Sequence, residues 1–299
     1  VAITGDFPRI FLNAPVTEDQ AQSSSGIGQE DTGAGAGATG GAPVPDNARA
    51  EAYPRAEARG AFERAQAESQ AGRPAAPKPS ISEAEREANA QKLQTIEQWG
   101  AIEWASMERA FEGAVNMTYN ARDTPDLTAV TSMERMFRNA RQFNGDIGDW
   151  DVSGVANMFG VFADARAFNQ NIGGWDVSNV TNMAFMFFDA TSFNQDIGAW
   201  DVAGVTDMAG MFGGFDTDTS FNQDIGGWET GNVENMRAMF QDAAAFNQDI
   251  GSWDVSSVTD MAFMFFDAET FNQDIGAWDV AGVTDMAGMF GGFDTDTSF

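Results

Sequence analysis

Carboxylates are the side chains in this sequence whose type and spacing suggest chemistry. One of them directly follows a Trp in each of six short blocks, and each lies 25 or 28 residues from the next. These residues are Asp151, Asp176, Asp201, Glu229, Asp254 and Asp279. Catalytic acids and bases need environments that push their pKa values apart. A column of equivalent carboxylates therefore argues against an enzyme.

A row of carboxylates suits cations instead. If the Trp and the residue after the carboxylate point inward, the carboxylate between them points to solvent. At a spacing of about 5 Å, neighbouring charges in stacked blocks repel by about 0.8 kcal/mol in bulk water, and by less in salt. The pattern predicts a ladder that binds a cation or a cationic partner. The simpler alternative is a solvated face that keeps an aromatic-rich array soluble.

A second acidic pattern lies in the loop sequence GGFDTDTS, which occurs twice in the chain, at residues 213–220 and 291–298. It places Asp216 near Asp218 and Asp294 near Asp296. Hard carboxylate oxygens at this spacing suit Ca²⁺, although the loop lacks the other ligands of an EF-hand. A plain polar bulge is therefore the alternative to a calcium site. No other cofactor is predicted.

Composition excludes several other classes of protein. The chain has 299 residues, of which 45 are acidic and 16 basic, so its net charge of −29 argues against binding nucleic acid or an anionic membrane. Cys and His are absent, which removes thiol chemistry, disulfides and the commonest general base. No run of about 18 apolar residues is present, so we expect no transmembrane segment.

The elements that must position the carboxylates are sequence repeats. Phe-Asn pairs recur every 25, 25 and 28 residues, and Phe193–Phe221 is identical to Phe271–Phe299. A fixed period of about 20–50 residues indicates a solenoid or array, in which stacking buries faces that one unit cannot bury alone. Ile-x-x-Trp-x-Val predicts a short strand. Met-x-x-Met-Phe-x-x-Ala has the i, i+3, i+4, i+7 spacing of about two helical turns.

The repeats occupy only part of the chain. We predict an N-terminal cap strand at 1–13, a flexible Gly/Ala/Pro/Glu-rich insertion at 14–90, a cap with degenerate first coils at 91–142, and the regular array at 143–299. Arg55–Ala71 is a candidate helix in the insertion, and a second helix is predicted from Ser82 with Glu85 in capping-box position. The last residue, Phe299, begins a new unit, so we expect the array to be truncated.

Two uncharged columns have both a structural and a functional interpretation. The Trp residues could stack on sugars, but their place beside the Ile and Val positions favours burial. The Asn after each Phe could contact carbohydrate. A ladder in which each amide bonds the turn backbone of the adjacent unit is favoured. The Asn column comprises Asn144, Asn169, Asn194, Asn222, Asn247 and Asn272.

The repeat FNQDIGxWDVSxVTxMxxMF resembles the BspA-like leucine-rich-repeat surface proteins, in the 25-residue variant of mycoplasma lipoproteins. Ile96–Met117, Asp123–Phe137 and Ile3–Asn13 also resemble that family's entry module. The resemblance implies a leucine-rich-repeat-like solenoid with short parallel strands on one face and short helices on the other. It implies export to a cell surface and a role in adhesion or recognition, with no catalytic residues carried over. The 14–90 insertion and the GGFDTDTS expansion depart from it.

The function expected from these patterns is non-catalytic and extracellular. The protein would be secreted or held at a cell surface, and would recognise an extracellular protein or matrix ligand through the acidic strand face. The alternative is a structural subunit of a surface filament or appendage, which would assemble with itself by stacking of solenoid ends.

Overall fold

The computed structural model describes residues 9–12, 83–215 and 218–292. Its helix and strands, in chain order, are Arg9–Leu12 (β1), Glu83–Ala90 (α1), Leu93–Gln98 (β2) and Thr118–Tyr119 (β3). They include one sheet of order β1-β2-β3, with β1 antiparallel and β3 parallel to β2. β1 lies within the segment expected to form a cap strand, and α1 begins one residue after Ser82. The candidate helix Arg55–Ala71 lies outside the described residues.

Beyond this sheet, each repeat unit lies on the next through parallel backbone pairing. Single parallel bridges join Ser132, Asn157, Asn182, Asp207, Asn235, Asp260 and Asp285 in that order. After each bridge, alternate residues donate their backbone N–H to the following unit. The bond from Phe185 N to Ala209 O, for example, is 2.7 Å. The bond from Phe187 N to Met211 O is 2.9 Å. A continuous backbone ladder therefore runs along the stack.

This ladder replaces the predicted short helices. Within 91–215 and 218–292 no helix occurs, and Met-x-x-Met-Phe forms consecutive turns, as in the bond from Met186 N to Met183 O at 3.1 Å. The third residue of this motif is left-handed in every described unit, with φ 57° at Phe185, and Asp189 follows with φ 56°. A right-handed helix excludes such residues. The helical spacing therefore arose from overlapping turns closed by hydrogen bonds between residues i+3 and i, in which alternate N–H groups bond the next unit.

The predicted strands are also absent from the Ile-x-x-Trp-x-Val segments. In the unit that contains Trp200, this segment is turn and irregular backbone, and the parallel bridge lies further on at Asp207. Asp201 explains the difference, because its Oδ1 accepts the N–H of Ala203 at 3.1 Å and closes a local turn that competes with strand pairing. The alternation of burial is nevertheless as expected, since Trp200 and Val202 are buried and Asp201 is exposed.

The core is a set of aligned aromatic and aliphatic columns inside the stack. Phe187 stacks on Phe193, the first residue of the next unit, with ring centroids 3.9 Å apart, and lies 5.8 Å from Phe212 of that same unit. Each regular Trp from Trp175 onward is buried and donates its indole N–H to the preceding unit, as in Trp200 Nε1 to Ile172 O at 3.1 Å. The structural interpretation of the Trp column is confirmed, since an indole held this way is a core group.

The Asn column forms the expected ladder between adjacent units. Asn169 Oδ1 accepts the backbone N–H of Asn194 at 3.0 Å and Gln195 Nε2 at 2.9 Å. Equivalent bonds run from Asn144 to Asn272. One side-chain oxygen in each unit therefore satisfies two donors of the next, which confirms the structural interpretation of this column.

A second apolar layer lies on the other side of the ladder, outside the main core. The ring of Phe185 covers Gly210, where an added Cβ would lie 2.6 Å from it, and Phe188 covers Gly213 at 3.3 Å. The three-residue expansion adds Phe215, whose ring meets Phe188 edge-on at 4.6 Å.

The same pairing recurs one 78-residue block later, where a Cβ on Gly288 would lie 2.7 Å from the Phe263 ring. In both blocks a unit with two outer Phe residues precedes a unit with Gly at the equivalent positions. The 78-residue period therefore reflects packing between neighbouring units, in which large Phe side chains of one unit lie against Gly residues of the next.

Candidate functional site

All six members of the acidic column are exposed to solvent. Each follows a buried Trp, and the next residue is buried in every unit except the last, where Val280 is exposed. The packed Trp and the ladder fix the backbone on either side, so the carboxylates recur at one position per stacked unit. They form a row on the surface of the stack.

Each Asp of the column closes its own turn. Asp176 Oδ1 accepts the backbone N–H of Ser178 at 3.1 Å and the Ser178 hydroxyl at 2.6 Å. Asp151 makes the same two bonds to Ser153. No hydrogen bond to Asp176 Oδ2 is seen among the described residues, so the second oxygen remains available to a cation or a donor on a partner.

These bonds stabilise the charged form of the carboxylates. The neighbouring Ser hydroxyl, and then the Ser backbone N–H, lower the pKa of Asp151, Asp176 and Asp254 below its ordinary value. At Asp151 the charge of Asp176 acts in the opposite direction and is the weakest of the causes that set its pKa. Turn hydrogen bonds thus offset the repulsion along the row, and these three carboxylates are ionised at neutral pH.

The sequence analysis missed two further columns that carry carboxylates. One is Asp146, Asn171, Asp196, Asp224, Asp249 and Asp274, and the other is the bridge column that includes Asp207. Asp196 Oδ1 accepts Gly198 N at 3.0 Å, and Asn171 Oδ1 accepts Gly173 N at 3.0 Å in the same way. The repeated Asp-x-Gly was the available signal, because Asp and Asn cap turns two residues ahead.

A groove of about 470 Å³ interrupts the row at its fourth unit. It is lined by Ala203, Trp228, Glu229, Thr230, Gly231, Asn232, Ser252 and Asp254. Gly231 replaces the Ser or Ala of the other units, and an added Cβ there would lie 3.1 Å from Asp254 Oδ2. The absence of a side chain at Gly231 therefore contributes to the opening.

Thr230 forms the floor of this groove in place of the usual Val. It is buried, and its hydroxyl donates to Asp254 O of the next unit at 2.9 Å. Two members of the acidic column, Glu229 and Asp254, thus line one concave and mostly polar surface. The sequence analysis did not single out this site, although the change from Trp-Asp-Val-Ser to Trp-Glu-Thr-Gly was visible.

The predicted calcium loop is described only in part. Asp218 is exposed, whereas Asp216, Asp294 and Asp296 lie outside the described residues. The loop is attached to its own and the preceding unit, since Thr219 Oγ1 donates to Phe212 O at 3.1 Å and Ser220 Oγ to Thr191 O at 2.6 Å. Within the described ranges, no group of three or more acidic, His or Cys side chains gathers as metal ligands.

The ion pairs of the described basic side chains are with carboxylates outside the acidic column. Arg138 Nη1 pairs with Glu112 at 3.1 Å, and Arg141 pairs with Asp164 at 2.8 Å. Arg135 is buried beneath the Phe159 ring, and burial lowers the pKa of Arg135 to about 10, which leaves it charged at neutral pH. Among the residues that the structure describes, no ion pair involves the column, so its charge is open to a partner.

The stacked units and their acidic rows define an acidic repeat protein. The chain matches the family described as "Mycoplasma protein of unknown function, DUF285" over residues 105–217 and 213–298, together about two thirds of its length, and it belongs to that family. No curated protein and no solved structure matches the chain. Among the described residues, no helix has the length and apolar character needed to cross a membrane.

Proposed function

We propose that the chain is a non-catalytic repeat protein of the cell exterior, secreted or held at the surface, that binds an extracellular protein or matrix ligand through its acidic column. The observation that carries this proposal is the row of six exposed carboxylates at equivalent positions of stacked units. The ligand is cationic, or is bridged to the row by Ca²⁺. The loop residues Asp216, Asp218, Asp294 and Asp296 are proposed as a second, separate calcium-binding element.

The fold class that we propose is a leucine-rich-repeat-like solenoid of the BspA-like type. Single parallel bridges at a 25- or 28-residue period support it, as does membership of a mycoplasma repeat family. The unit differs from the expected form because turns stand in place of helices. A solenoid of this kind gives an extended surface on which side chains repeat at a fixed spacing.

Three features of the column support recognition of a cationic partner. The turn hydrogen bonds hold the Asp side chains in place, so little side-chain entropy is lost on binding. Because the pKa of Asp176 is lowered, its carboxylate stays ionised when the surrounding solution is mildly acidic. The groove between Glu229 and Asp254 adds a concave surface, which a flat charged face lacks. Electrostatic complementarity of this kind supplies association rate and specificity.

The direct test removes charge from the column without changing its turns. Asp176→Asn, Asp201→Asn and Asp254→Asn are combined, because Asn171 already performs the same type of capping in a neighbouring column. The probe is decalysine at low salt. We expect affinity to fall roughly tenfold, about 1.4 kcal/mol.

The matched control combines Asp196→Asn, Asp224→Asn and Asp249→Asn, which remove the same number of charges from another column. We expect this variant to keep its affinity within about a factor of three, or about 0.6 kcal/mol. Equal loss in both variants would mean that net charge alone binds the probe, and the column would have no special role.

The near-identity of the units favours a second candidate function, a structural subunit of a surface filament. Residues 193–221 are identical to residues 271–299, one 78-residue period later, and identical units could stack end to end. In that case light scattering would show polymers that grow with protein concentration, with or without Ca²⁺. A persistent monomer that binds decalysine through the column would favour the recognition protein.

A further inference from the structure

Glu229 differs from the other members of the acidic column in the way its turn is closed. In the other five units, Oδ1 of the Asp accepts the backbone N–H two residues ahead, as in Asp201 to Ala203 at 3.1 Å. Among the described residues, Glu229 accepts no hydrogen bond, and the N–H of Gly231 donates none. Both carboxylate oxygens of Glu229 are therefore open to a ligand, whereas each Asp of the column has one oxygen engaged.

Two small residues widen the groove beside this side chain. Ala203 lies in its lining, at the position where two earlier units have Ser153 and Ser178. Gly231 has the same position in the following unit, and an added Cβ there would lie 3.1 Å from Asp254 Oδ2. The groove volume of about 470 Å³ lies within the range of roughly 300–1,000 Å³ that is usual for small-ligand sites. This space is far larger than a single metal ion, so it suits an organic group.

The side chains around the groove present acceptors, because their donor groups are engaged. Each donor group bonds a backbone carbonyl of the stack: Trp228 Nε1 to Ile197 O at 3.2 Å, Thr230 Oγ1 to Asp254 O at 2.9 Å, Asn232 Nδ2 to Ala203 O at 2.8 Å and Ser252 Oγ to Gly226 O at 3.0 Å. Both oxygens of Glu229 and Oδ1 of Asn232 accept no hydrogen bond from a described residue. Asp254 adds a second negative charge to the lining. Such a surface selects a positively charged group with several N–H donors.

We propose that the groove binds an arginine side chain of the partner, whose guanidinium pairs with both oxygens of Glu229. This inference rests on the proposed function, and it names the partner group that the groove selects. A guanidinium carries five N–H donors in a planar fork, which matches a carboxylate whose two oxygens are both open. The N–H of Gly231 remains for a backbone carbonyl of the same partner.

The state of the Asp side chains explains why arginine is preferred to lysine at this one position. The ammonium of lysine is a compact point charge that needs only one oxygen, and every Asp of the column offers one. Lysine is therefore bound alike along the row. A two-oxygen pair with arginine forms at Glu229 and not at the Asp positions, where Oδ1 closes the turn.

The test measures the binding of two short peptides to the full chain by NMR titration at low salt. The probes are acetyl-Gly-Gly-Arg-Gly-amide and acetyl-Gly-Gly-Lys-Gly-amide, which differ only in the cationic side chain. We expect the arginine peptide to bind about fivefold more tightly, the scale of one well-placed exposed ion pair. It should shift the amide signals of Gly231 and Asn232.

Glu229→Asp is the decisive variant, because it keeps the charge of the column. Its carboxylate should close the turn to Gly231, as Asp does in the other five units, and so have one oxygen engaged. We expect the preference for arginine to fall to within about twofold, while the affinity for the lysine peptide stays the same. Asp196→Asn lies outside the acidic column and is the control, in which the preference should be retained.

A second variant tests the shape of the groove. Gly231→Ser places a side chain beside Asp254, as in the units that have Ser at this position. We expect it to weaken binding of the arginine peptide by at least about threefold, because the added atoms occupy the groove.

Two results would overturn the arginine site. One is equal affinity of the two peptides, and the other is a preference for arginine that survives in Glu229→Asp. Neither result bears on the acidic column, whose role is tested by the loss of decalysine affinity in the triple Asn variant. If that variant kept its decalysine affinity, the proposed function would fail, and the arginine preference at Glu229 would still be measured separately.

Discussion

At the residue scale, the fold depends on left-handed positions that only some residues tolerate. Gly210 has φ 60°, and an added Cβ would lie 2.6 Å from the Phe185 ring. The sequence shows Phe185 and Phe263 each followed one unit later by Gly at this position, but it does not show that each Phe ring packs against that Gly. The pattern of large and small residues was therefore visible, and its reason was not.

Gly210→Ala should destabilise the protein by about 2–4 kcal/mol, because it combines left-handed strain with a clash against an aromatic ring. Urea denaturation followed by tryptophan fluorescence measures the change. Gly227→Ala is the control, since nothing lies within 4 Å of its added Cβ. Similar denaturation midpoints for the two variants would show that the outer Phe layer does not constrain Gly210.

The charge of the acidic column is also set at the residue scale. The Ser178 hydroxyl is the main cause that lowers the pKa of Asp176, so Ser178→Ala should raise that pKa toward the ordinary Asp value of about 3.9. A lowered folded-state pKa stabilises the fold above the unfolded value, and this stabilisation is lost as pH falls through the folded value. Carboxyl-carbon NMR titration measures the shift, and an unchanged pKa in the variant would contradict the assigned cause.

At the scale of elements, the sequence predicted the repeat unit, its period and which side chains are buried, but not its secondary structure. The spacing of Met183, Met186, Phe187 and Ala190 fits two helical turns as well as it fits overlapping turns with hydrogen bonds between residues i+3 and i. Left-handed residues decide between these, and Phe185 is a residue type that rarely adopts such a conformation. The backbone hydrogen bonds to the next unit compensate for this unfavourable left-handed conformation. These bonds join residues of different units, so they could not be predicted from the sequence of one unit.

The Asn ladder gives a test of the contacts between elements. Asn169→Leu should cost about 1–3 kcal/mol, because two donors of the next unit, Asn194 N and Gln195 Nε2, lose their acceptor. Asn169→Asp keeps an acceptor oxygen at the same place and should cost less. Thermal unfolding of both variants measures this order. A larger loss for the Asp variant would mean that charge outweighs the hydrogen bonds.

At the scale of the whole molecule, charge is the dominant unbalanced quantity. Residues 143–299 contain 25 acidic residues and only two basic ones. Asp164, Asp260 and Asp285 pair with Arg side chains, whereas the acidic column makes no ion pair among the described residues. Composition predicted this acidity, and the placing of each carboxylate between two inward-facing positions, the first of them a Trp, predicted the exposed column. The groove at Glu229 could not be predicted, because its depth depends on how Thr230 and Gly231 pack against the following unit.

Salt should stabilise this molecule. Raising NaCl from about 0.01 M to about 0.5 M shortens the screening length from about 30 Å to under 8 Å, and we expect the thermal midpoint to rise as repulsion between the rows is screened. The thermal midpoint of the triple variant Asp176→Asn, Asp201→Asn, Asp254→Asn should rise less over the same change in salt. A midpoint that does not depend on salt would contradict a structure in which the carboxylates lie in uncompensated rows.

The central claim of this account is that each unit is protected by the unit stacked on it. Amide hydrogen exchange, measured by NMR on assigned residues, tests it most directly at Gly210 and Gly288, which have identical sequence neighbours and hence identical intrinsic rates. Because Gly210 N donates to Arg237 O at 2.8 Å beneath a covering unit, its N–H should exchange at least about 100-fold more slowly than that of Gly288. Equal exchange rates at the two glycines would contradict the stacked arrangement.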